Sequence, residues 1–134
     1  MKKIYLVLFG AAMFSSATMA NTVSCYVDTD AYDNYTENYC YGSGQLSNHR
    51  QGAVVFKVDV SKPVQNIIWT VDGFLAKPRS NSCTGEICIV DVRHGESEVS
   101  ACVDKIYYQD YTWADVNWCA NASANFWGEG QVPQ

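Results

Sequence analysis

Apolar and polar residues alternate with a period of two along much of this 134-residue chain, and no segment sustains a helical period. In Ala53–Val60 (AVVFKVDV) the even-numbered positions are apolar, whereas Lys57 and Asp59 face the other way. Such a pattern predicts a β-strand with one buried face. Further strands are expected at Val23–Val27, Val64–Val71, Glu86–Arg93, Val99–Lys105 and Val116–Phe126.

The spacing of these strands and of the turn residues between them predicts an all-β, antiparallel sandwich of about six to eight short strands. Asp72-Gly73 is expected to form the turn that ends the strand before it. The polar, tyrosine-rich segment Asp28–Gln51 is expected to be a long ordered loop or an irregular strand region. No repeat, linker or low-complexity tract divides the chain, which predicts a single domain.

The order of these elements resembles that of the bacterial immunoglobulin-like sandwich domains of secreted proteins. Trp69 lies on a strand that follows a valine-rich strand, and a later V-x-A-x-V strand leads through a hairpin into A-x-A-x-A-x-F. The resemblance covers Ala53–Gly128 and implies an immunoglobulin-like sandwich with Trp69 in its core. The chain departs from antibody domains because Ala53–Val60 contains no cysteine to form their inter-sheet pair.

The first 20 residues have the organisation of a bacterial secretory signal peptide. Lys2 and Lys3 precede the apolar run Ile4–Phe14, and small residues follow up to Ala20. The apolar run is too short to span a bilayer, which needs about 20 residues. Cleavage after Ala20 would leave one domain, residues 21–134, in the periplasm or the medium.

The charge of the chain restricts its partners. Cleavage would remove two of the 9 basic residues and none of the 14 acidic ones, so the formal net charge would change from −5 to −7. An acidic chain lacks the basic footprint of a nucleic-acid-binding protein. Since the remainder contains no further apolar run of spanning length, no membrane span is expected either.

All six cysteines lie in the part expected to be exported, where the compartment favours disulfides. The arms of a hairpin centred near Asp110 would place Cys102 directly opposite Cys119. Cys83 and Cys88 flank a short turn, and the remaining two, Cys25 and Cys40, would close the polar N-terminal segment. No C-x-x-C motif is present and the two histidines are isolated, so neither a metal nor another cofactor is expected. The expected pairs are Cys25–Cys40, Cys83–Cys88 and Cys102–Cys119.

The tip of that hairpin is the candidate binding surface because aromatic residues are concentrated there. Tyrosine and tryptophan offer large contact areas at low entropic cost, and hairpin tips are usually exposed. The competing interpretation is that these rings cover the edge of the core. The N-terminal tyrosines are expected to pack over the sheet. The candidate binding residues are Tyr107, Tyr108, Asp110, Tyr111 and Trp113.

Residues suited to chemistry are sparse. The chain has no G-x-S-x-G, H-E-x-x-H or P-loop motif. A small hydrolase that uses His94 with Glu96 or Glu98 remains an alternative, although a histidine beside a glycine is typical of a turn. The acidic segment Asp28–Glu37 offers oxygen ligands for Ca²⁺ without the spacing of an EF-hand.

Size, compartment, charge and disulfides together predict a small exported binding protein that is not an enzyme. Acidic binding proteins complement basic partners, so a basic protein is the expected partner. A concrete form is a periplasmic inhibitor or immunity protein directed against a cell-wall-degrading enzyme. The alternatives are the hydrolase and a carbohydrate-binding or adhesin-like surface module, in which Tyr111 and Trp113 would stack on a sugar.

Overall fold

The computed structural model describes residues 22–29, 34–46 and 51–128, and these form nine strands and no helix. In that part of the chain there is consequently no helix with the length and apolarity needed to cross a membrane. The predicted signal peptide, residues 1–20, lies outside the described residues. The strands are β1 (Val23–Val27), β2 (Thr36–Glu37), β3 (Tyr39–Leu46), β4 (Gly52–Val58), β5 (Val64–Gly73), β6 (Lys77–Pro78), β7 (Ile87–Val92), β8 (Gly95–Tyr108) and β9 (Trp113–Gly128).

The strands form two sheets. The first has the order β2-β1-β4-β7-β6 and is antiparallel throughout. The second has the order β3-β9-β8-β5, and β3 runs parallel to β9. The predicted all-β class is confirmed, but the prediction of a wholly antiparallel fold is wrong at β3. The described residues form nine strands, one more than the six to eight that were predicted. The prediction that all strands are short is wrong, because β8 and β9 have 14 and 16 residues.

The core lies between the two sheets and draws apolar side chains from both. Phe56 of β4 and Phe126 of β9 are the largest fully buried side chains. Along β8 and β9 the inward residues are in general less exposed than their neighbours, as period-two alternation requires. The alternation shifts by one residue in β8, where its register with β9 is irregular between Val103 and Lys105. Burial of this alternating face against the opposite sheet is what stabilises both long strands.

β4 departs from the predicted strand with one buried face. Ala53 and Val55 are also buried, and Lys57 is only partly exposed. On the neighbouring strand Tyr26 lies opposite Val55, and its ring packs edge-on against Tyr35 at 4.8 Å between ring centres. The Lys57 Nζ atom lies 5.2 Å from the centre of the Tyr35 ring. These side chains cover the outer surface of the first sheet, so β4 is buried on both faces.

Part of the segment Asp28–Gln51, predicted to be a long ordered loop or an irregular strand region, forms the regular strand β3. All eight residues of β3 pair with β9. A Cβ atom at Gly42 would lie 2.6 Å from the Cβ of Val27, so β1 and β3 approach each other closely only because glycine has no side chain. Glycines on the inner face, in place of large apolar residues, concealed this strand in the sequence.

The N-terminal tyrosines do not all pack over the sheet, which corrects that expectation. Tyr39 and Tyr41 are 51% and 67% exposed because they point outwards from β3. Tyr26 is half-buried, and its partner Tyr35 is 41% exposed. Tyr32 lies outside the described residues.

The three disulfides are the pairs that the sequence analysis predicts. One joins β1 to β3 through the core and therefore links the two sheets. A second closes the connection between β6 and β7, and the third joins directly paired residues of β8 and β9. Three disulfides in so small a domain indicate an oxidising compartment. The pairs are Cys25–Cys40, Cys83–Cys88 and Cys102–Cys119.

The turn predicted at Asp72-Gly73 lies two residues later, at Phe74 and Leu75. Asp72 and Gly73 still belong to β5 because their pairing with β8 continues to the end of the strand. Leu75 has a φ of 56°, in the left-handed region that allows a tight turn. The turn therefore exposes two large apolar side chains, with Phe74 81% and Leu75 55% exposed.

Candidate binding surface

The hairpin tip, residues 107–113, joins β8 to β9 through a turn whose hydrogen bonds are local. The amide of Tyr108 donates to the carbonyl of Thr112 at 2.9 Å, and that of Tyr111 donates to the carbonyl of Tyr108 at 3.2 Å. The Thr112 amide donates to the Asp110 Oδ1 atom at 3.0 Å, as in an Asx turn. Tyr111 has a φ of 66°, and its side chain is 87% exposed.

Lys62, in the connection between β4 and β5, holds the hairpin tip from the side. Its Nζ donates to Asp110 Oδ2 and to Thr112 Oγ1, both at 2.8 Å. The backbone amide of Gln109 donates to the carbonyl of Pro63 in the same connection at 3.1 Å. Two loops that are distant in sequence are thus joined at one end of the fold, which restricts the motion of the tip.

The charge of Asp110 follows from these contacts. The hydrogen bond from Lys62, followed by those from Thr112, lowers the pKa of Asp110 to about 2. Asp110 is therefore ionised at neutral pH and accepts hydrogen bonds. A carboxylate with so low a pKa is unsuited to the role of general acid, which needs a pKa near the working pH.

Two exposed rings form a platform on the outer face of the hairpin tip. Tyr107 and Trp113 are directly paired across the two strands and are 37% and 61% exposed. The Lys105 Nζ atom lies 5.3 Å from the centre of the Tyr107 ring and 5.9 Å from that of Trp113. It also lies 3.6 Å from Asp115 Oδ1. Cation–π attraction from Lys105 therefore acts on both rings and favours their fixed positions.

Tyr108 differs from the other predicted binding residues because it points into the core. Consecutive residues of a strand face opposite sides of the sheet, so Tyr107 and Tyr108 cannot share a surface. Tyr108 is 8% exposed, and Lys62 Nζ lies 4.4 Å from its ring centre. The interpretation as core filler therefore holds for Tyr108. The tip presents Tyr107, Asp110, Tyr111 and Trp113 to solvent.

The residues of the alternative hydrolase interpretation lie at the other end of β8. Glu96 and Glu98 are exposed on the outer face of the second sheet, and Glu98 Oε1 accepts a hydrogen bond from Ser123 Oγ at 2.7 Å. A groove of about 430 Å³ lies there, but His94 is not among its described lining residues. The structure therefore does not bring His94 into this groove. The groove is lined by Tyr41, Glu96, Ser97, Glu98, Ser123, Ala124 and Asn125.

The acidic segment considered for calcium is described only in part. Asp28 and Glu37 are described, whereas Asp30 and Asp33 are not. Over residues 22–29, 34–46 and 51–128, no three or more histidine, cysteine, aspartate or glutamate residues lie where they could hold a metal ion.

Sequence reasoning did not identify Lys62 as a contact of the hairpin tip. The available signal was Asp110 itself, since an aspartate in a turn typically accepts a hydrogen bond from the backbone two residues on. Nothing local to the sequence could identify Lys62 as a further donor, because Lys62 is 48 residues from Asp110.

No family model, curated protein sequence or solved structure matches this chain.

Proposed function

We propose that this protein is a small exported, non-catalytic binding domain whose hairpin tip contacts a protein partner. The observation that carries this proposal is a braced tip with large exposed aromatic side chains. Tyr111 is 87% and Trp113 61% exposed, although Lys62 and Asp110 hold the turn in place. Tyrosine and tryptophan are enriched among the residues that dominate binding energy, and an ordered tip loses little entropy on binding.

An immunoglobulin-like topology for the sandwich is supported by the strand order. Immunoglobulin constant domains have strands A, B, E and D in one sheet and C, F and G in the other. Labelling β1 and β4 to β9 as A to G gives the orders A-B-E-D and G-F-C, with β2 and β3 as additions at the edges. Trp69 then lies on strand C and packs against the core.

The same labelling makes the hairpin tip the loop between strands F and G, and Lys62 part of the loop between B and C. In immunoglobulin variable domains these two loops lie at the end that recognises antigen. The ion pair between Lys62 and Asp110 would then join two recognition loops. This placement supports the tip as the contact surface.

The charge of the chain supports a basic partner. Its formal net charge is −5, and loss of the predicted signal peptide would make it −7. An acidic protein attracts a basic one over long range and so accelerates their association. Together with the small size and the oxidising compartment, this favours an inhibitor or immunity protein that acts on a basic cell-wall-degrading enzyme.

A pull-down from periplasmic extract tests this function. The baits are the wild-type protein, a Tyr111→Ala/Trp113→Ala variant and the control Phe74→Ala. Phe74 is a suitable control because it is an exposed ring at the opposite end of β5. Wild type and Phe74→Ala should capture the same basic protein, and calorimetry should show at least about tenfold weaker binding by the tip variant. Equal binding by all three baits, or no captured protein, would refute the proposal.

Carbohydrate binding is a second candidate, supported by the paired rings of Tyr107 and Trp113. Both rings lie on one face, and the polar side chains of Lys105 and Asp115 flank them. Such an amphipathic platform can accept the apolar face of a sugar ring. A glycan array would decide, with binding expected for the wild type. Binding that survives Trp113→Ala would exclude this site.

A further inference from the structure

The two sheets have four edge strands, and three of these are protected against pairing with another chain. Natural proteins protect edges by shortening the strand, placing proline or charge on it, or covering it. β2 and β6 are two residues long, and β6 also ends in Pro78. Neither offers a row of backbone groups long enough to hold an added strand.

β5 is longer, but the connection between β6 and β7 covers part of its edge. The Ile67 amide donates to the carbonyl of Thr84, and the Trp69 Nε1–H donates to the carbonyl of Gly85, both at 2.8 Å. The disulfide described above closes this connection. β5 also has irregular register at two places. A bulged strand with part of its edge occupied is a poor template for strand addition.

β3 differs from these edges in every respect. It has eight residues (YCYGSGQL), with neither a charged residue nor a proline, and among the described strands it pairs only with β9. In the described part of the chain, no backbone hydrogen bond joins its outer side to another segment. Tyr39 and Tyr41 stand exposed beside this edge. From these observations we infer that β3 is a docking edge, to which an extended, basic segment of another protein adds as a strand.

The positive charge expected of the added segment follows from the surface beside β3. Tyr41 lines a groove together with Glu96 and Glu98, and no described lysine or arginine forms an ion pair with either glutamate. On an added strand, side chains would lie about 5 Å from those of β3, so a lysine or arginine could lie over the Tyr41 ring. A second copy of this acidic chain fits poorly, because its β3 carries no cation and the two copies repel each other.

This edge is separate from the hairpin tip. β3 pairs with β9 from Asn121 onwards, eight residues beyond Trp113. At about 3.4 Å per residue the two surfaces are some 27 Å apart. The inference therefore does not depend on the function proposed for the tip, and variants at one surface leave the other intact.

The test uses a fluorescent decapeptide, (Lys-Val)5, in an anisotropy titration of the whole protein. We expect saturable binding, together with slower amide hydrogen exchange in Tyr39–Leu46. Tyr41→Lys should weaken the peptide at least about fivefold, because it removes a cation–π partner and adds a like charge. Tyr111→Lys is the matched control, since it makes the same change of charge at the hairpin tip. It should alter the affinity by less than about twofold, because surface charges beyond the screening length interact weakly.

Two further peptides separate strand addition from general attraction of charge. (Glu-Val)5 should not bind, and (Lys-Val)5 with its four central amides N-methylated should lose binding because neither of its edges can pair. If (Glu-Val)5 or the N-methylated peptide bound as tightly as (Lys-Val)5, the inference would be overturned. It would also be overturned if Tyr41→Lys and Tyr111→Lys changed the affinity for (Lys-Val)5 equally. Absence of saturable (Lys-Val)5 binding would overturn it too. Exchange protection of β3 that rises with protein concentration alone would assign the edge to a second copy instead.

Discussion

Removal of the disulfide between β1 and β3 should destabilise the protein more than removal of the one between β8 and β9. The two close loops of almost equal length, with sequence separations of 15 and 17. The chain-entropy model therefore assigns each about 3 kcal/mol through the unfolded state. Any clear difference between them must arise in the folded structure.

The structure predicts such a difference because the two disulfides differ in burial. Cys25 and Cys40 lie in the core between the sheets, whereas Cys102 and Cys119 lie half-exposed on the outer face of the second sheet. Replacing the first pair by alanine removes two buried sulfur atoms and leaves a void, which adds about 1–2 kcal/mol. We therefore expect losses of about 4–5 kcal/mol for the inner pair and about 3 kcal/mol for the outer pair.

Urea denaturation measures both values by linear extrapolation. The variants are Cys25→Ala/Cys40→Ala and, as the matched control, Cys102→Ala/Cys119→Ala. Mass measurement without reductant should show that the other two disulfides remain intact in each. The midpoints should differ while the slopes stay alike, so that the comparison concerns stability alone. Equal losses, or a larger loss for the outer pair, would refute the argument from burial.

Three further predictions concern a charge, a glycine and a tryptophan. The pKa of Asp110 is lowered to about 2, so the stability that its carboxylate contributes should be complete above the pKa of an unfolded aspartate and disappear as the pH falls towards 2. NMR titration should show that the pKa of Asp110 rises in Lys62→Met. Gly42→Ala should cost about 1–3 kcal/mol in urea denaturation because its Cβ would overlap β1. Gly85→Ala, where no atom lies within 4 Å of the added Cβ, should change stability by less than about 0.5 kcal/mol. Trp69→Phe should cost about 1–3 kcal/mol by the same measurement, because it removes the Nε1 donor of a 2.8 Å hydrogen bond to the Gly85 carbonyl and leaves a void. An unchanged urea midpoint would show that neither the hydrogen bond nor the void affects stability.

Features that depend on neighbouring residues could be predicted from the sequence. The alternation around Ala101 and Val103 identified the inward face of β8, and the hairpin symmetry placed Cys102 opposite Cys119. Tyr108 illustrates the limit of this reasoning. The alternation that points Ala101 and Val103 inward would also point Tyr107 inward. An irregular register between Val103 and Lys105 shifts the pattern by one residue, so Tyr108 faces the core instead.

The sequence by itself determined the all-β class, because period-two burial is a local property of the chain. It predicted the three disulfide pairs from cysteine spacing, but only the structure established which cysteines are bonded. Only the tertiary structure decided that the polar segment before Leu46 contains a regular strand, and that this strand runs parallel to β9. It also decided which lysine braces Asp110. The physical reason is the same for the strand pairing and for the ion pair, because each contact joins residues far apart in sequence. The energy of each contact depends on the close approach that the packed sheets create.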